Sequence, residues 1–140
     1  MGADVMNQAN IFLTGQPIGK GRPRFTRSGH VYTPDKTKRY EMRLAGEASN
    51  CMVSRQLDPI TVPCKVLIRA QFQIPKSWTK AKKLKAEQRE IFPGKPDIDN
   101  VAKIVLDAFN GVVFEDDAQV YELRVLKGYG DPCLSVAVAW

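Results

Sequence analysis

Histidine appears once, at His30, and cysteine three times, at Cys51, Cys64 and Cys133. The cysteines are odd in number and widely spaced. They form neither a CxxC pair nor a zinc pattern with His30, so they are expected to be reduced and mostly buried. No apolar run is long enough to span a bilayer. Residues 1–10 lack the basic start and apolar stretch of a signal peptide, which places the expected location in the cytoplasm. No basic helix carries a broad apolar face, so a membrane surface is disfavoured as a partner. Repeats and low-complexity tracts are missing. What remains is an ordinary apolar fraction of 44% over 140 residues, enough for one core and one domain, residues 1–140, with the first ten expected to be loose.

The charge is abundant and unevenly placed. The chain is formally +6. The window from Asp97 to Asp117 holds six acids and one base, Lys103, and is therefore −5, while everything outside it is +11. A basic protein with one acidic knot suits a metal-dependent enzyme acting on a polyanion, and the pI near 9.3 favours nucleic acid.

Along the chain, Asn10–Thr14 reads as a first strand. The segment PIGKGRPRFTRSGHVYTP follows, with Lys20, Arg22, Arg24 and Arg27 among its glycines and prolines. Pro23 keeps it out of a central strand. Ser28-Gly29 reads as a hairpin tip, and the glycines would let the backbone approach a ligand closely. Thr33 and Pro34 suit the start of a helix over Asp35–Ser54, whose apolar stripe is Tyr40, Leu44, Ala48 and Cys51-Met52. Residues 62–74 alternate as a strand. A very basic segment follows, with Lys76, Lys80, Lys82, Lys83 and Lys85. There Ser77 could cap a short helix to about Glu90, expected to be mobile or partly ordered in isolation. Trp78 reads either as a core anchor or as a platform for a base. Gln119–Lys127 and Leu134–Trp140 read as two final strands, joined into a hairpin by the turn at Gly128–Pro132. The basic loop, the first helix and Lys76–Arg89 are candidate phosphate contacts, although each also reads as plain solvated surface.

The acidic window, KPDIDNVAKIVLDAFNGVVFEDDAQV, carries the chemistry. Pro96 disfavours helical geometry at Lys95, so Asp97 and Asp99 enter extended and can point the same way. A helix starting at or near Asp99 would set both at its N-terminus. It is apolar nearly all round, with a polar edge of Asn100, Lys103, Asp107 and Asn110, and Asn110-Gly111 supplies its C-cap. The chain then turns back through Glu115, Asp116 and Asp117. Converging carboxylates repel unless neutralised, and a hard divalent cation does that with oxygen ligands. The ion would activate water and stabilise phosphoryl charge, with Lys103 on the scissile phosphate or the attacking water. The plainer reading has Asp97 and Asp99 capping a helix and Glu115–Asp117 forming a polar turn.

The ordered set KPDIDN, Lys103, LDAFNG and EDDAQV, with GKGRPR and IPKSW upstream, resembles the RusA family of Holliday-junction resolvases over roughly residues 12–127. The resemblance implies an α+β fold with a small mixed or antiparallel sheet and packed helices. It implies a homodimeric endonuclease dependent on Mg²⁺ or Mn²⁺, with no small-molecule cofactor, cutting four-way junction DNA symmetrically. The family's essential aspartates fall on Asp97, Asp99 and Asp117, its catalytic lysine on Lys103, and Asp116 is an auxiliary metal ligand. The first ten residues have no counterpart, and the spacing from helix to acids differs by a residue from some members. Rival readings are a flap- or fork-directed nuclease of the same chemistry and a non-catalytic DNA-binding module.

Overall fold

The computed structural model describes residues 6–21, 24–32 and 35–140. The expected roles of Arg22, Pro23, Thr33 and Pro34 lie outside these residues, as do residues 1–5. The chain forms a four-stranded mixed sheet with three helices, an α+β fold. Its elements in order are β1 (Gln8–Thr14), β2 (Arg24–Phe25), β3 (Val31–Tyr32), α1 (Asp35–Ser54), β4 (Cys64–Phe72), α2 (Lys80–Glu87), α3 (Ile98–Phe109), a single 3-10 turn at Asp117–Gln119, β5 (Val120–Tyr129) and β6 (Cys133–Ala139).

The sheet order is β1-β6-β4-β5. β4 pairs parallel with β5 and antiparallel with β6, and β6 pairs antiparallel with β1. β2 and β3 form a separate antiparallel ribbon around Gly29, whose φ of +86° is the left-handed geometry that a tight turn requires. β1 begins at Gln8, earlier than the expected Asn10, because Gln8 and Ala9 pair with Ala139 and Val138, and Ala9 is fully buried.

The expected hairpin of the last two strands does not form. β5 and β6 are consecutive, but β4 lies between them. The turn after Tyr129 crosses the end of β4, where the Gly130 amide donates to the Phe72 carbonyl at 3.0 Å and the Gly15 amide to the Pro132 carbonyl at 3.0 Å. The physical reason is burial. β6 has one side wholly inside, through Leu134, Val136 and Val138, and so takes a central slot. β5 has no fully buried residue and half of its residues are exposed, and it takes an edge.

α1 and α3 pack side by side on one face of the sheet. The core joins Tyr40, Leu44, Ala48 and Met52 of α1 to Val101, Ile104, Val105 and Phe109 of α3, over the inward residues of β1, β4 and β6. α1 has its expected bounds because every third or fourth residue is buried. α2 begins at Lys80 with Thr79 as its cap, accepting from the Lys82 amide, in place of the expected Ser77. The basic segment is therefore a capped helix, held to β5 by Trp78, whose ring meets Tyr129 edge-on at 5.4 Å. Lys82 lies 4.1 Å over the same ring. No helix among the described residues is long and apolar enough to cross a membrane.

Candidate active site

α3 positions the first acidic pair. Its sequence buries Val101, Ala102, Ile104, Val105, Ala108 and Phe109, so the core fixes its direction. The helix starts at Ile98, one residue before the expected Asp99. Asp97 is its N-cap, with an extended backbone, and Asp99 lies in the first turn. The Asp97 carboxylate makes no capping hydrogen bond. It faces Lys95, whose ammonium lies 2.9 Å from Oδ1. Asp97, Asp99 and Lys103 are all exposed.

Three contacts hold the start of α3 from outside the helix. The Lys127 ammonium, from β5, donates to the Gly94 and Pro96 carbonyls at 2.6 and 3.0 Å. The Lys20 amide donates to the Asn100 carbonyl at 2.9 Å. Gly19 passes so close that a Cβ there would sit 2.6 Å from Cβ of Pro96. The close approach expected of the glycine loop is thus made by Gly19 to the protein's own Pro96. Lys127 is a positioning residue that sequence reasoning missed: in an alternating strand it looks like any outward lysine.

Lys20 is half-buried and bridges two acids, with Glu41 at 2.5 Å and Asp107 at 3.2 Å. Burial pulls its pKa down, but the two carboxylates outweigh that and hold the ammonium above the ordinary lysine value. Asp107 also lies 3.5 Å from Lys103, one turn before it. Of the other candidate DNA contacts, Arg27, Lys76, Lys80, Lys82 and Lys85 are exposed and Lys83 is half-buried. The Arg22 position and the Arg24 side chain lie outside the description.

The second acidic pair follows the end of α3. Gly111, at φ +75°, turns the chain, and its amide donates to the Phe114 carbonyl at 2.8 Å. Asp116 starts the 3-10 turn. Its carboxylate accepts from the Ala118 amide, and its own amide donates to the Gln119 side chain in a capping box. Gln119 in turn donates to the Ile60 and Val62 carbonyls, just before β4. Asp117 is half-buried.

The two pairs stand near opposite ends of α3, a helix of twelve residues and so roughly 18 Å long. The N-terminus of α3 is tied to Lys127, late in β5, while its C-terminal side adjoins Ile60, before β4. Among the described residues no three His, Cys, Asp or Glu side chains gather closely enough to hold a metal ion.

The family model described as endodeoxyribonuclease RusA matches residues 14–139 of this chain, which takes in α3 and both acidic pairs. The chain belongs to the RusA endodeoxyribonuclease family. It is also 38% identical over 132 residues to the uncharacterized protein YqaN of Bacillus subtilis strain 168, covering 90% of this chain and 91% of that protein. The RusA-family match makes the chain a DNA endonuclease by kinship.

Proposed function

We propose that this RusA-family chain is a divalent-metal-dependent endonuclease that resolves four-way DNA junctions, working in the cytoplasm as a two-fold homodimer. The observation that carries the reading is the start of α3. Asp97 caps the helix with an extended backbone, and its carboxylate faces the Lys95 ammonium at 2.9 Å. Asp99 and Lys103 stand exposed within the next turn and a half.

The donor set is carboxylate oxygen only, which suits Mg²⁺ or Mn²⁺, ions that take one or two carboxylates, water and substrate phosphate. Asp97, Asp99 and Asp117 would hold the ion, with Asp116 in support. When bound, it supplies an activated water and positive charge toward the phosphoryl oxygens. Lys103 presents an ammonium to the scissile phosphate or to the attacking water. Since one chain keeps its acids in two separate pairs, the full set assembles between two copies, Asp97 and Asp99 from one and Asp117 from the other. Arg27 and the lysines of the α2 segment hold the backbones of the arms, with little dependence on sequence.

The test is cleavage of a synthetic four-way junction, a flap and a linear duplex by purified protein with Mg²⁺. The wild type cuts the junction in preference to the others, whereas Asp99→Asn loses at least about 100-fold in rate yet still binds the junction. Equal cutting by Asp99→Asn would sink the metal-site assignment. Preference for the flap would move the assignment to a fork-directed nuclease, and binding of DNA without cutting by the wild type would leave a non-catalytic module.

A further inference from the structure

The two edges of the sheet are treated differently. At the β1 edge, side chains of α1 and of Arg55 just after it cover the outward carbonyls: Arg55 donates to Gln8, Cys51 to Asn10 at 3.4 Å and Arg43 to Thr14 at 3.3 Å. At the β5 edge, among the described residues, the backbone of 121–129 makes no bond outside its ladder with β4. β5 is ten residues long and lacks the proline that commonly blunts an edge. The core also stops short there. Leu123 sits beside Val66, which is 2% exposed, and on the same face of the sheet, yet Leu123 is itself 41% exposed. Tyr121 next to it is 59% exposed.

Building on the homodimer reading above, we propose that β5 is the surface on which a second copy of this chain docks, edge to edge and antiparallel, about a two-fold axis at Leu123. The sequence of β5 is self-complementary in this register. Leu123 meets its own copy, and Glu122 falls opposite Arg124 of the second copy, twice by symmetry. Neither Glu122 nor Arg124 has an ion-pair partner among the described residues. The pairing satisfies the bare backbone edge and continues the core across the axis. It also brings Lys127, which holds the start of α3, toward the 3-10 turn of the second copy. Asp97 and Asp99 of one copy are thereby brought toward Asp117 of the other.

Two sets of variants of the full chain test this by sedimentation and non-reducing gels. Glu122→Lys and Arg124→Glu alone each place like charges opposite one another, and each weakens dimerisation by about 10-fold or more at low salt. The double variant restores the opposite pairing and returns to within about 3-fold of wild type. Leu123→Cys forms an interchain disulfide on oxidation, because paired antiparallel residues lie within disulfide reach. Phe12→Cys, on β1, does not, and the wild type controls for its native thiols. A dimer untouched by both charge reversals, or one that Leu123→Cys fails to cross-link, overturns the β5 interface, as does a monomeric wild type. A dimer that behaves as expected but cuts no junction keeps the interface and removes the nuclease reading instead.

Discussion

Tyr40 shows how one buried group gives the protein a pH limit. Its hydroxyl is buried beside the Ile18 backbone but outside hydrogen-bond geometry. Burial raises its pKa from 10.0 to about 12, against the opposing pull of Arg43. Below pH 10 the phenol is neutral both folded and unfolded and does nothing to the pH dependence. Between 10 and 12 the unfolded chain loses this proton more readily than the folded one, so stability falls as pH rises. Tyr40→Phe should therefore leave stability unchanged or raise it by about 1 kcal/mol near neutrality. It should also lose part of the decline between about pH 9 and about pH 11, as read by urea denaturation at both values. At the same scale, the acids were legible because Asp97, Asp99, Asp116 and Asp117 are charges in a chain whose net sign is opposite. Lys20 was legible only as a basic residue. Its engagement with Glu41 and Asp107 depends on α1 and α3 lying side by side, which no local pattern encodes.

Elements are where sequence reading succeeded most and failed most. α1 and α3 were recoverable because burial at every third or fourth residue is a local signal. The Gly111 turn was recoverable because left-handed backbone selects glycine. The β5–β6 hairpin was misread because a glycine- and proline-containing turn between two strands looks the same whether or not another strand inserts between them. Only the exposure of β5 separates the two cases, and exposure is a tertiary property. The loop before α1 acts as a spacer on α3 through Gly19. Its missing side chain leaves room for the ring of Pro96, which cannot rotate away. Gly19→Ala should lower stability by about 1–3 kcal/mol in denaturant titration and reduce junction cleavage as well, since the start of α3 shifts. An unchanged melting midpoint would show that the loop yields freely.

At the scale of the whole molecule, the separation of the acids along α3 makes a prediction that no single chain can satisfy. Asp99→Asn and Asp117→Asn should each be inactive alone. Mixed and allowed to exchange subunits, they form heterodimers in which one site carries both substitutions and the other carries neither. Nicking of one strand should then return to roughly a quarter of the wild-type rate or less, given random assortment and one intact site per mixed dimer. No recovery from a mixture shown to have exchanged would place all the acids of a site in one chain. Binding should also weaken steeply with salt, through counterion release from Arg27 and the α2 lysines, with similar slopes for junctions of unrelated sequence. A slope that differed sharply between junction sequences would point to base contacts. The overall fold class was readable from element order. The strand order was not, because it rests on contacts between residues far apart in the chain.

The central place of β6 bears on how the protein is made. Gln8 pairs with Ala139, so β1 must wait for a strand made long after it. Until β6 emerges from the ribosome, β1 and β4 have an empty lane between them and the inner faces of α1 and α3 have an incomplete floor. The sheet must therefore stay unfinished until β6 is made and then close in a cooperative step. That gives it the slow formation expected of a high contact order and an interval of exposure to chaperones and proteases that a local hairpin would have shortened.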